Sequence, residues 1–471
     1  MLLSCLTVPK LCSHILFSFS NDGDQTLSKA AINTKANRKS DVIVLGAGVA
    51  GLAAASALAK TGRKVIVIDR ASTAGGTHRS MNVGPYTFDV GSIFFEETSR
   101  LFDLMPQVRD DCPQVIRRQT RIGPEGQLLR YPIAVRDILD WPMSQRIRAV
   151  FDLFRHRFTV TADGGLENIS IKRMGRTLYV ATGLRDYICR FNHVSPAELD
   201  EDFFYKRMKF IQRATELRQM ISALYKTLTA RRNATKPTRK PLYIRPREGF
   251  DCLYDPIVAK LKAEGVEFAM SAQISKIARQ GENYHVATQG TDFVASSLVS
   301  AIPVASLYKY LYGESAGLSS IDQIALFVSA SNLSDAAGNL LFNFHPRGQW
   351  KRLTIYSRLY ASDQTDREFF TAEVTVPSGH DPDVQAAFDD LKAHLEGLGF
   401  AQDLVLEGHE IVQDAYPLYL KGYGATLQHA LDRIDQTGIV SVGRQGRFDY
   451  LPTSSAVLRQ VAEELDKSGL L

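Results

Sequence analysis

The chain has little of what staples or metallates small folds. Its five cysteines, Cys5, Cys12, Cys112, Cys189 and Cys252, are scattered over 471 residues and share no short spacing. That pattern excludes a disulfide framework and a zinc knuckle, predicts no metal site, and fits a reducing, cytoplasmic compartment. Long apolar runs are lacking too. Residues 1–19 are fairly apolar but are interrupted by Pro9, Lys10 and His14 and have no basic start. They make a poor secretory signal and are too broken to span a bilayer. Residues 1–39 therefore read as a disordered extension or an unused upstream start, with a targeting segment as the alternative. Neither sign of charge is in large excess: 56 Lys and Arg against 51 Asp and Glu leave a net charge of +5. With no aromatic-interleaved basic motif, no nucleic-acid partner is expected. No internal repeat is present. The length allows about two to four domains.

What is present begins at Asp41. The run Asp41-Val-Ile-Val-Leu45 is short, apolar and β-branched, as a strand buried on both faces requires. It ends in Gly46-Ala-Gly48-Val49-Ala50-Gly51. Gly46 permits a tight turn, Gly48 lets a pyrophosphate approach the backbone and the next helix N-terminus, and Gly51 lets that helix pack closely on the sheet. An Ala-rich helix over 52–60 and a strand over 64–68 follow. Asp69 then stands where a carboxylate accepts hydrogen bonds from ribose hydroxyls. This is the entry half of a dinucleotide site, with Val49, Ala50 and Arg70 beside it. Asp69 repels a 2′-phosphate, and NAD and FAD both remain open on the motif alone.

The next residues carry a resemblance. A glycine pair, Gly75-Gly76-Thr77, lies six residues past the acid, and Tyr86-Thr-Phe-Asp89-Val-Gly91 follows. In these segments the chain resembles the flavin-containing amine oxidase, phytoene desaturase and protoporphyrinogen oxidase superfamily. The resemblance implies FAD, with Gly75, Gly76 and Thr77 near its phosphates or flavin. That family carries Arg directly after the glycine pair, whereas Thr77 and His78 intervene here before Arg79. Some relatives hold flavin through a late cysteine; none follows Cys252, so FAD is expected to be non-covalent. Leu129-Arg-Tyr131-Pro132, Ser195-Pro-Ala-Glu198-Leu199 with the basic helix after it, and the stretch from Tyr416 to Tyr450 are similar to a branch of that superfamily, UDP-galactopyranose mutase and its relatives. The likeness covers most of residues 40–467. Mutases show Gly-Pro-His-Ile-Phe-His where this chain has Gly91-Ser-Ile93-Phe-Phe-Glu96, and Leu-Asp-Met where it has Leu451-Pro452-Thr453. An apolar Ile93 supplies no imidazole, which argues against mutase chemistry.

The expected fold class is α/β. A Rossmann-like FAD-binding domain with a parallel sheet would assemble from the discontinuous segments 40–110, 241–305 and 411–471. An inserted α+β substrate-binding domain would come from 111–240 and 306–410. In the second FAD segment the sequence predicts a helix over 252–263 and strands near 265–268, 272–277, 284–288 and 293–301. The resemblance sets the backbone of Ile274 at the adenine. In the third, a strand runs into Gly443, and a helix over 454–467 offers its N-terminus, at Thr453 and Ser454, to flavin or phosphates.

Flavin does the redox work itself, so few catalytic side chains are expected. Three are candidates. Arg444, in a glycine-bounded turn, suits FAD phosphate or an anionic substrate. Arg352 aligns loosely with a family strand facing the flavin, or lies on a solvated edge strand. Tyr416, with Tyr423, suits an aromatic wall over the flavin, or plain core. His78 is a flavin contact or a structural histidine. Two basic stretches, 146–157 and 226–247, suggest peripheral contact with an anionic membrane, against a core-facing helix and a solvated loop. The expected function is an FAD-dependent oxidoreductase moving hydride from a small organic substrate to flavin N5. The alternatives are a flavin-dependent UDP-sugar mutase and a flavin-binding protein without catalysis.

Overall fold

The computed structural model describes residues 37–133, 135–216, 240–360 and 365–471. Most of the N-terminal extension and residues 226–239 of the second basic stretch lie outside these.

Strand β1 (Asn37–Leu45) opens the first sheet. It begins earlier than expected: Arg38 and Lys39 are in parallel register with Phe293 and Val294, and Arg38 pairs with Glu267. Helix α1 (Val49–Ala59) and strand β2 (Val65–Ile68) follow as the glycine motif predicts. The sheet order is Glu267–Ala269, β2, β1, Asp292–Ser300, Asn283–Thr288, Ile274–Gln280, and Val440–Ser441 also pairs with the Asp292–Ser300 strand. The four strands around β1 are parallel, and the hairpin at one end is antiparallel.

Both faces of this sheet are covered, which explains the unbroken apolar runs. Val42, Val44, Val65 and Val67 pack on one face with Leu52, Ile257 and Val461, from α1 and the helices Asp251–Ala263 and Ser454–Lys467. Ile43, Leu45, Ile66 and Ile68 pack on the other with Leu298, Leu307 and Ile434. Leu307 belongs to helix Val304–Tyr312, so the first sheet's layer extends past the boundary expected at 305.

The second sheet has seven strands, in the order Val405–Pro417, Ser320–Ala330, Glu368–Pro377, Trp350–Ile355, Leu340–Asn343, Gln119–Ile122, Leu128–Arg130. Strand Val405–Pro417 is continuous, so residues 411–417 lie with this sheet and not with the FAD segment expected to begin at 411. Helices Met143–Thr159, Leu166–Met174, Arg176–Ala181, Leu184–Asn192 and Asp202–Arg207 lie in the first part of the insert. No described helix is long and apolar enough to cross a membrane.

Candidate functional site

The glycines build a backbone cradle at the C-terminal edge of the first sheet. Gly46 turns the chain at φ +97°, and its N–H donates to Ile68 O at 2.8 Å. A Cβ on Gly51 would lie 1.7 Å from Gly46 O, so only glycine permits this strand-to-helix approach. Gly48 caps α1 without a side-chain hydrogen bond, and the first turn holds no acid. The free amides of that turn are therefore available to an anion.

Across from it, Gly75 N donates to Ala47 O at 2.9 Å, and a Cβ on Gly76 would sit 3.1 Å from the Gly48 Cα. Asp69 accepts from Ala47 N at 2.6 Å and from Ala71 N at 2.8 Å, which holds its carboxylate at the mouth. Ser271 N and Ala272 N donate to Ala71 O and Asp69 O. These two bonds bring the buried start of strand Ile274–Gln280 beside Asp69. Arg70 is exposed at the rim. Gly443, 367 residues after Gly76 in number, closes the opposite wall: its Cβ would meet the Ala50 Cβ at 2.4 Å. Gly443 N donates to Gln460 Oε1 at 2.7 Å, from the last helix. A side chain at Gly76 or Gly443 would crowd the cradle, so the residues present fit an extended dinucleotide.

A cleft beyond the cradle is lined by His78, Phe94, Phe95, Pro452, Thr453 and Ser454 among others. His78 stacks on Phe250 with centroids 4.9 Å apart, and its Nδ1 lies 2.6 Å from the Tyr254 hydroxyl. Burial, and then the Arg444 cation, push its pKa down to about 4, so His78 is neutral at physiological pH. Thr453 caps its own helix through Ala456 N, and Ser454 Oγ lies 2.7 Å from Ser99 Oγ. Both hydroxyls are thus engaged, and both residues, expected to present the helix N-terminus to flavin or phosphates, line the cleft. A larger cleft, about 670 Å³, lies between residues 97–114 and Tyr243 and holds none of the cradle residues.

The three catalytic candidates converge in a side-chain cluster around Tyr416, called the chamber below, between the second sheet and the helical insert. Arg352 is not on an edge strand: Trp350–Ile355 lies between two neighbours. A register shift at Trp350/Arg352 allows both Lys351 and Arg352 to reach Glu373 on the next strand. Burial raises the Glu373 pKa, but Arg352 and Lys351 outweigh it and hold the carboxyl below its ordinary range. Lys351 Nζ donates to Glu373 at 3.0 Å and to the Tyr416 hydroxyl at 2.9 Å. Arg444 lies over the Tyr416 ring at 6.0 Å, and its Nη2 donates to Ala415 O. Arg444 therefore joins the cradle wall at Gly443 to the chamber.

Arg207 was not singled out from the sequence. Its guanidinium lies 5.0 to 5.9 Å from the rings of Phe191, Phe203, Tyr416, Tyr419 and Tyr450, and Nε and Nη2 have no hydrogen-bond partner. Desolvation lowers its pKa, so burial here works against the charge. The available signal was the basic helix after Glu198-Leu199. Among the described residues, Arg207, Lys351, Arg352 and Arg444 gather around Tyr416, with Glu373 salt-bridged to two of them.

Other expectations fall outside this site. Arg79 pairs with Glu410 at 3.0 Å in the hairpin Arg79–Val83/Tyr86–Val90. Tyr423 packs against Tyr419 and donates to Asp202, so it is structural. Asp89 is fully buried and takes two 2.8 Å contacts from Arg245 Nε. Arg245 is thus an internal partner and not part of a solvated basic loop. Ile93 is core, and Glu96 is exposed.

A family profile described as a NAD(P)-binding Rossmann-like domain matches residues 44–108. An inactive all-trans-retinol 13,14-reductase of Danio rerio is 37% identical over 68 residues, 14% of this chain and 11% of the relative. A 4,4′-diapophytoene desaturase of Methylomonas sp is 31% identical over 119 residues, 24% of this chain and 22% of the relative. The shared sequence thus spans about a tenth to a fifth of these relatives' length. Likeness of fold reaches further. A reduced UDP-galactopyranose mutase matches at TM-score 0.73 and 17% identity over 92% of this chain and 94% of its own. A putative protoporphyrinogen oxidase from Exiguobacterium sp. 255-15 matches at TM-score 0.66 and 14% identity, over 91% and 99%. The chain has the fold of these proteins, a mixed α/β fold with a Rossmann-like domain.

Proposed function

We propose that the chain is an FAD-dependent oxidoreductase that moves hydride between a C–H bond of an organic substrate and the flavin, with oxygen or another acceptor completing the cycle. The observation that carries this reading is the continuity of the two sites through Gly443-Arg444. One residue backs the cradle against Ala50, and the next reaches the Tyr416 ring over the chamber. In this reading Gly46, Gly48, Val49, Ala50, Gly51, Gly75, Gly76 and Thr77 take the phosphates, Asp69 and Arg70 the ribose, and Ile274 the adenine edge. Gly443, Arg444, Thr453 and Ser454 close the far side, without a covalent link. When bound, flavin supplies a two-electron acceptor at N5.

The chain's own residues orient and shield. Neutral His78, stacked on Phe250, adds a flat hydrogen-bonding wall without adding charge. The Lys351–Tyr416 contact sets the phenol over the chamber, and the aromatic rings around Arg207 exclude water. The names of the desaturase and of the all-trans-retinol 13,14-reductases among the relatives point to polyene and retinoid substrates for those proteins, which supports an apolar substrate here; the four cations support one that also bears an anionic end.

A second reading, a flavin-dependent UDP-sugar mutase, is favoured by the fold match to a mutase and by the same cations, which suit a diphosphate. The burial of Ile93 in the core weighs against it. A purified yellow protein that reduces a redox dye with a polyene or amine supports the first reading. Turnover of UDP-galactopyranose only after dithionite reduction replaces it with the second. A protein that binds FAD and turns over neither leaves a non-catalytic flavoprotein. A colourless protein that cannot be reconstituted with FAD overturns all three.

A further inference from the structure

Helix Met143–Thr159 is built inside out. At about 100° per residue, Met143, Ile147, Val150, Phe151, Phe154 and Phe158 fall within an arc of roughly 100°. A stripe of that kind ordinarily faces the core. Here all six are exposed, at 52% to 85% of their surface, and the helix buries only Ala149 fully. Its polar side does the packing. Asp152 accepts from Thr177 N and Oγ1 at 3.1 and 2.6 Å, His156 Nδ1 accepts from Arg176 N at 3.3 Å, and Arg157 Nη2 donates to Thr215 O at 2.7 Å. Gly175 makes the approach close: its Cβ would lie 2.8 Å from Leu153 N.

Arginines border the exposed stripe on both sides. Arg148 and Arg155 are exposed and follow it around one flank; Arg146 and Arg157 lie around the other but are half-buried, Arg157 held by Thr215. Asp152 is the helix's single acid, and it is turned inward to Thr177. A second copy meeting this face through a twofold axis would oppose arginine to arginine across an apolar seam. Anionic lipid meets both features at once: headgroup phosphates take the arginines, and the acyl boundary takes the phenylalanines.

We propose that helix Met143–Thr159 docks the protein on an anionic lipid surface, its apolar stripe entering the interface and its flanking arginines meeting phosphate. This goes beyond the flavin reading and does not rest on it. The test is flotation of the full chain with phosphatidylcholine vesicles, with and without phosphatidylglycerol, at low and high salt. Sedimentation velocity and circular dichroism accompany it, the latter to show that variants stay folded. The wild-type chain floats with anionic vesicles and much less with neutral ones. R148E/R155E weakens flotation by about tenfold or more, and salt does likewise. F151S/F154S/F158S abolishes it at every salt concentration. Three results overturn the proposal. The wild type fails to float. The triple phenylalanine variant floats as well as wild type, which moves any lipid contact to another basic segment such as 226–247. Or the wild type dimerises through the stripe without binding vesicles, the triple variant being a monomer.

Discussion

The cradle and the chamber differ in what they are made of. The cradle is backbone: glycines, helix amides and one carboxylate, most of it supplied by residues 46–76. The chamber is side chain: Arg207, Lys351, Arg352, Glu373, Tyr416 and Arg444, brought from five separate segments. A backbone site tolerates almost no added atoms but is electrically mild. A side-chain site of buried cations is held by its one counter-charge and breaks when that charge is removed.

The largest expected effect tests the first half of this contrast. Gly443→Val places branched carbons where a single Cβ already meets Ala50 at 2.4 Å, and φ at Gly443 is +77°. Flavin binding, followed by absorbance during FAD titration, is expected to fall by at least about a hundredfold, since several kcal/mol of strain and lost approach add. An unchanged titration would mean that the cofactor does not lie against this wall.

Glu373→Gln tests the second half. It leaves Lys351 and Arg352 buried without their acid, and removing one partner of such a pair costs about 3–5 kcal/mol. The thermal midpoint is expected to drop by several degrees or more while the FAD titration stays near wild type. Equal loss of flavin would show that the two sites are one mechanical unit.

Acid sensitivity gives the next effect. His78 in the cleft and His394 under the second sheet are both pushed down to about 4, chiefly by burial. Their ordinary value in an unfolded chain is about 6.5. Between those values the unfolded chain binds protons that the folded chain refuses, so stability is full above about pH 6.5 and declines toward pH 4. Each contributes up to about 3 kcal/mol to that decline. His394 Nδ1 accepts from Trp350 Nε1 at 2.9 Å, and its Nε2 lies 2.9 Å from His345 Nδ1. Denaturation at pH 7 and pH 5 should show a smaller pH difference for His394→Gln than for wild type, with no change in flavin binding. An unaltered pH difference would place the acid sensitivity elsewhere.

Arg207→Met should have the smallest effect, and in an unusual direction. The guanidinium has two unpartnered nitrogens, and desolvation disfavours its charge. Methionine keeps packing among the aromatic rings, so stability should rise by about 1 kcal/mol, while KM for an anionic substrate rises and kcat is spared. A loss of stability would show that the ring contacts alone hold the charge.

The local architecture of the first site was legible from residues 41–69. Strand, turn, helix, strand and acid appear in the order read, because each depends on neighbours within a few residues: β-branching, positive-φ glycine, Ala-rich helix. Domain borders were less so. The ends of strand Val405–Pro417 and helix Val304–Tyr312 are set by the partners they pack on, Ser320–Ala330 and the first sheet. Arg352 was named with a flavin-facing strand and a solvated edge strand both open, since strand order is invisible in one strand's residues; the sheet order rules out the edge. Arg207 was missed because only Phe203 of its five rings lies near it in sequence.

The sequence alone determined the dinucleotide turn, since glycine geometry and a helix terminus are properties of a short contiguous backbone. The basic stretch 146–157 also carries Ile147, Val150, Phe151 and Phe154, whose spacing makes an apolar stripe on a helix, because periodicity is local. Only the tertiary structure decided which way that stripe faces and which four cations share one chamber. Those outcomes follow from contacts between segments as far apart as Arg207 and Arg444, where packing and desolvation act and sequence spacing carries no information.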